Sequence, residues 1–220
     1  MSNAIVVRAA RYRLALLLFA SLALETPAPS PAQTAPADAV LGRFIAADAE
    51  LASYSVPVHV DVYLRKLAKL HFALSGMQYY RRPGQVALEL HGAPARFGRL
   101  FGELGTPLTW PYTYELRQLD STVVDGRAIA HLEGVPKSPD HVTRMRVDVA
   151  SDAAAPLHAT WWCNDGKTIE MSMLLRTDGA YLLPDRSEID LTVGRLPIHA
   201  VLEEGVYTVN GALPEDAFPT

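Results

Sequence analysis

Cysteine is almost absent from this chain. Cys163 is the only one in 220 residues, so no disulfide can form within it and no cysteine stands near the N-terminus to carry a lipid. Long apolar runs are scarce too: the run Leu14–Leu24 is about half the roughly 20 residues that a helix needs to cross a bilayer. Excess positive charge is missing, with a formal net charge of -4, which disfavours nucleic acid as a partner. No phosphate-cradling glycine loop and no serine nucleophile elbow occurs. The seven histidines (59, 71, 91, 131, 141, 158 and 199) are scattered singly, without a helical i, i+4 pair. The expectation is therefore no metal, no cofactor and no catalytic residue.

What is present begins with a basic start (Arg8, Arg11, Arg13), the short apolar run, and a stretch rich in proline and alanine. That is the layout of a secretory signal peptide over residues 1–32, with cleavage after Ala32 or after Ala37. The expected product is a soluble exported protein with a net charge of roughly -6. Without disulfides it must hold together by burial, and about 185 residues suffice for one core, giving a single domain over 38–220.

From Asp38 to Tyr54 the apolar residues Val40, Leu41, Phe44, Ile45 and Leu51 fall at helical spacing, with Asp38 placed to cap the start. The period then changes to two. Val56, Val58, Val60 and Val62 alternate with polar residues or proline, and the same alternation returns in Leu70-Phe72-Leu74 and Val86-Leu88-Leu90 around a Pro83-Gly84 turn. Residues 92–111, with four glycines and three prolines, read as a short helix or a mobile loop. Further strands are expected at 112–119, 128–132, 142–149, 157–163, 168–175, 186–193, 198–202 and 206–209. Asp125-Gly126 and Asn164-Asp165-Gly166 mark two of the turns. Ten or eleven short-connected strands make a mainly β chain with an antiparallel meander and few helices to cover its apolar face. The concavity of such a curled sheet either holds an apolar ligand or is filled by its own helices.

Several patterns, in order, resemble the LolA-type periplasmic lipoprotein carriers. Tyr79-Tyr80-Arg81-Arg82-Pro83-Gly84-Gln85-Val86 is similar to that family's aromatic-basic-Arg-Pro hairpin. Tyr112-Thr113-Tyr114-Glu115-Leu116, Val124-Asp125-Gly126-Arg127 and Val135-Pro136-Lys137 resemble its strand, turn and loop. Arg146-Val147-Asp148, Pro156-Leu157, Trp161 to Lys167, Tyr207-Thr208-Val209-Asn210 and Leu213-Pro214 continue the series. The resemblance implies a strongly curved, incomplete antiparallel β-barrel with helices or loops as a lid. It implies a non-enzymatic periplasmic carrier that holds a lipid, an acyl chain or a lipoprotein tail, or else an envelope sensor or adaptor that uses the same fold to bind a protein. Partners on this reading are acyl chains and envelope proteins of the inner or outer membrane. Arg82 matches the arginine thought to hold the family's lid closed. The apolar positions facing the ligand would be Phe72, Leu74, Val86, Leu88 and Leu90 beside Arg82, with Met145, Trp161, Met171 and Met173 further round the sheet. Trp110 and Trp162 are placed at the rim. Two departures stand out: Arg146 replaces a family tryptophan, and the segment before Tyr112 is unusually rich in glycine and proline.

Overall fold

A computed structural model describes residues 37–47, 49–64, 70–93, 104–138 and 141–218. The expected signal peptide, its first cleavage site, the Asp38 side chain and half of the expected lid, residues 94–103, lie outside them. Helix α1 spans Ala37–Ala46 and is followed by eleven strands. These are β1 Ser53–Leu64, β2 Leu70–Arg81, β3 Gln85–Leu90, β4 Tyr114–Val124, β5 Arg127–Pro136, β6 Val142–Ala150, β7 Ala155–Cys163, β8 Thr168–Asp178, β9 Tyr181–Val193, β10 Leu196–Glu204 and β11 Thr208–Val209. A single turn, α2, at Trp110–Thr113 leads into β4.

All the strands join one antiparallel sheet in the order β3-β2-β1-β10-β9-β8-β7-β6-β5-β4, with β11 on β1. The sheet curls but does not close, because β3 and β4 are both edges. The chain is thus two meanders, β1–β3 and β4–β10, joined where β1 pairs with β10 over Val58↔Glu204 to Leu64↔Ile198. The sequence pattern implied one continuous meander. Local turn chemistry shows which neighbours are joined by hairpins, but the β1–β10 ladder closes over about 140 residues and leaves no local signal.

Several boundaries differ from the sequence reading, three of them instructively. The first helix stops at Ala46 rather than near Tyr54, and β1 begins at Ser53. There Tyr54 pairs with Tyr80 on one side and Val209 on the other, and this two-sided ladder outweighs local helix propensity. Strand β4 starts at Tyr114, after α2, where Pro111 suits the first turn of a helix. Strand β9 starts at Tyr181 rather than Arg186. It admits Pro184 because the register with β8 shifts between Leu174 and Leu175, and such an irregularity relieves proline's missing donor.

The valine alternation of β1 gives the expected result: Val56, Val58, Val60 and Val62 are all at most 3% exposed. Gly76 sets how closely β3 approaches β2, since a Cβ there would lie 1.7 Å from the Glu89 carbonyl oxygen. Gly76→Ala should therefore part the β2–β3 ladder and lower stability by about 1–3 kcal/mol. Urea unfolding would measure it against Gly42→Ala, whose new methyl meets nothing within 4 Å.

Candidate functional site

Cross-strand register assembles one apolar concave wall. A row of neighbours runs from Phe72 on β2 through Val62, Ala200, Ile189 and Met171 to Leu132 on β5. The row above it contains Leu74, Val60, Leu202 and Met173. Val86, Leu88 and Leu90 pair with Tyr80, Gln78 and Gly76 and so face the same side. The nine apolar positions expected from the sequence thus share this face, in two parts. Met145 and Trp161 are fully buried, and Met171 and Met173 nearly so. Toward the β3 edge, Leu74, Val86, Leu88 and Leu90 are half-buried and Phe72 is 45% exposed.

The difference between the two parts comes from what lies over them. Val40 and Phe44 of α1, Leu51, Leu104, Leu108 and Trp110 are buried in the same core as the wall. Trp110 packs edge-on to Trp161 with ring centres 5.7 Å apart, lies 6.4 Å from Phe44, and donates its indole N–H to the Leu104 carbonyl at 3.0 Å. Trp110 is therefore a fully buried plug and not a rim residue, because its ring fills the space above Trp161. Trp162, on the other face of β7, is half-buried under the Arg144 guanidinium at 4.0 Å.

Polar contacts secure the last turn of α1 and the loop after it. Arg43 on α1 donates to the carbonyls of Ser151 and Asp152 in the β6–β7 turn. Arg82 donates to the Ala49 carbonyl in the loop after α1. Gly84, in the left-handed region at φ +66°, packs against Tyr112; a Cβ there would stand 2.9 Å from that of Tyr112. Arg82, Tyr112, Phe44, Leu108 and Leu175 line a cavity of about 60 Å³. That is well below the roughly 300–1,000 Å³ of pockets that hold drug-sized ligands; over Trp161 the wall is covered by the buried ring of Trp110.

No protein-family model and no curated protein matches the sequence. Solved structures do match. A LolA-superfamily protein from Nitrosomonas europaea superposes with a TM-score of 0.59 at 12% identity, over 84% of this chain and 97% of its own. A DUF1329-family protein from Desulfovibrio piger gives 0.60 at 10% identity, over 82% and 95%. A domain assigned to outer-membrane lipoprotein sorting in Vibrio parahaemolyticus gives 0.58 at 12%, over 82% and 95%. The fold is LolA-like.

Among the described residues of this LolA-like sheet a buried carboxylate shares the apolar wall, and the sequence reading missed it. Glu204 pairs with Val58, is 7% exposed, and has one carboxylate oxygen with no hydrogen-bond partner among the described residues. Burial pushes its carboxyl up to about 8, and Asp185 adds to the effect. Arg176 is close but occupied. It binds Asp185 at 2.6 Å, donates to the carbonyls of Glu204 and Gly205, and lies 5.1 Å from the Tyr207 ring. Burial also raises the Tyr207 phenol, whose O–H donates to the Pro184 carbonyl at 2.8 Å. Alternation along β10 could have placed Glu204 inside, since Ile198, Ala200 and Leu202 share its parity.

The convex face carries a second array without a sequence signal. His131, 7% exposed, has Nδ1 2.6 Å from Asp148 and Nε2 2.9 Å from the Thr122 hydroxyl. The pairing satisfies both ring nitrogens of a buried imidazole. Other histidines expected to be solitary are partnered as well: His71 lies 2.5 Å from Asp61, and His199 lies 3.1 Å from Asp190. Among the described residues no helix is long and apolar enough to cross a membrane.

Proposed function

We propose that this protein is a periplasmic carrier that takes the acyl chain of a lipid or lipoprotein into its concavity when the cover over the sheet is displaced. The observation that carries this reading is the make-up of the wall and its cover. The wall is a mainly apolar surface built by the sheet, interrupted by Glu204. The segments over it, α1 and residues 104–113, belong to no strand; Arg43 and Arg82 secure α1 and the loop after it, and Lys137 donates to the Pro111 carbonyl at 2.8 Å. An acyl chain offers the same chemistry as the side chains it would replace, so exchanging cover for ligand conserves buried apolar area. The half-exposed stretch Phe72, Leu74, Leu88 and Leu90 supplies a starting surface next to the β3 edge of the sheet. Arg82 would act as a latch on the cover, and no reaction is required of the site. Sorting of outer-membrane lipoproteins, the role assigned to one structural neighbour, agrees with this chemistry.

The deciding experiment is native mass spectrometry of protein purified from the cells that make it, followed by organic extraction. A co-purifying lipid or lipopeptide near one per chain is expected. A clean protein mass, with no gain after incubation with envelope lipids, would move the assignment to an adaptor that binds protein. Leu88→Glu puts a charge on the starting surface at a half-buried position. Uptake of a fluorescent fatty acid by that variant should fall about ten-fold or more with the circular dichroism unchanged. Undiminished uptake would remove β3 from the site.

A further inference from the structure

The β7–β8 hairpin carries a side-chain cluster that the acyl-binding reading does not use. Val142, the first residue of β6, pairs with Cys163, the last of β7, and the Asn164 amide donates to the His141 carbonyl at 2.9 Å. This register sets His141 beside the turn Cys163-Asn164-Asp165. A nitrogen of His141, the sulfur of Cys163 and a carboxylate oxygen of Asp165 all lie within 4.8 Å of one another. Sequence separation hid the group, because residues 141 and 163 meet only through the β6–β7 ladder.

We propose that His141, Cys163 and Asp165 form a binding site for Zn²⁺. A thiolate, an imidazole and a carboxylate are the three protein donor types that zinc accepts, at about 2.0–2.3 Å, and together they exclude the all-oxygen cations calcium and magnesium. Donors around a tetrahedral ion stand roughly 3.3–3.8 Å apart. From 4.8 Å, rotamer adjustments of about 1 Å bring the three atoms to that spacing. The arrangement is open on one side, since Cys163 is buried while His141 and Asp165 are exposed. Three protein donors leave the fourth position to water or to a group from a partner.

The surroundings fit this role. Lys167 pairs with the Asp165 carboxylate, which also accepts the Lys167 amide at 3.1 Å, so Asp165 is already oriented in the turn. A half-exposed ammonium is a weak occupant that a divalent ion would displace. Burial holds the Cys163 thiol up, which keeps the metal-free side chain neutral; on coordination the sulfur gives its proton to solvent and binds as thiolate. Occupation would pin the segment before β6 to the β7–β8 hairpin.

The test is titration of the purified protein, reduced and stripped with EDTA, with Zn²⁺ in competition with a chromophoric chelator. Co²⁺ serves in parallel as a spectroscopic probe. One equivalent of Zn²⁺ should bind, and Co²⁺ should give a thiolate-to-metal charge-transfer band. Cys163→Ala and His141→Ala should each weaken Zn²⁺ binding about ten-fold or more, Lys167→Gln should strengthen it, and the distant His59→Ala should leave it unchanged. His141 is exposed, so its variant keeps the fold even if loss of the buried Cys163 side chain does not. Failure to take up Zn²⁺ at micromolar concentration, uptake that survives His141→Ala, or a Co²⁺ spectrum without the thiolate band would each overturn the site. None of these readouts depends on whether a lipid binds in the concavity.

Discussion

Trp110→Ala should cost the metal-free, ligand-free protein about 3–5 kcal/mol of stability, the usual range for deleting a large buried aromatic side chain. The same change should make acyl uptake faster. Trp110 is fully buried, stacks edge-on to Trp161 and touches the α1 residue Phe44, so its ring joins three parts of the core: sheet, helix and pre-β4 segment. Truncation leaves a cavity over Trp161 that the surrounding backbone can only partly close. If the wall is a ligand surface, that cavity is where the chain enters. A fluorescent fatty acid should then bind more quickly to the variant than to the parent, and saturating ligand should restore part of the lost denaturation midpoint through linkage. If Trp110 is only a core residue, stability falls but neither uptake nor ligand-dependent recovery changes.

Raising the pH across the neutral range should destabilise the protein through Glu204. The unfolded carboxyl titrates near the ordinary 4.5, whereas the folded one is pushed up to about 8 by burial. Between those values the folded chain retains a proton that the unfolded chain has released. Stability therefore falls as pH rises through this window, by up to about 1.4 kcal/mol per unit. The penalty is absent below the window and complete above it. Asp185 and Glu203 reinforce the shift, and Arg176, held by Asp185 and two backbone carbonyls, opposes it only in part. Glu204→Gln removes the charge at nearly constant volume. Urea unfolding of parent and variant at about pH 5 and about pH 9 should show a variant more stable by roughly 2 kcal/mol or more at the higher pH, and a flatter profile. Parallel profiles would assign the dependence to other groups.

Both predictions rest on residues that the sequence marked poorly. Trp110 reads as a rim residue because it stands among glycines and prolines, where no period indicates a direction. Only the crossing from the β3 edge to the β4 edge brings it over Trp161. Glu204 continues the inward parity of Ile198, Ala200 and Leu202, but a lone acid at a strand end is usually solvated; Tyr207, folding back to the Pro184 carbonyl, helps to cover it. Met145, Trp161, Met171 and Met173, by contrast, follow from alternation alone, and all four lie on the concave wall. Phe72 has the right parity and is still 45% exposed, because parity selects the face of a strand and says nothing of how far along it the cover reaches.

Alternation of period two, punctuated by Pro83-Gly84, Asp125-Gly126 and Asn164-Asp165-Gly166, was enough by itself to determine a mainly β chain of ten or eleven strands and the inward face of those strands where the alternation is clear. These are local properties, set by side-chain direction and turn geometry over a few residues. Tertiary structure alone decided that β1 lies against β10, that the sheet stays open between β3 and β4, and that Trp110 fills its centre. It also decided that His141 meets Cys163 and Asp165. Each of these joins residues far apart in sequence, where the gain is shared area and cross-strand pairing and the opposing term is loop entropy. No short window of residues contains either quantity.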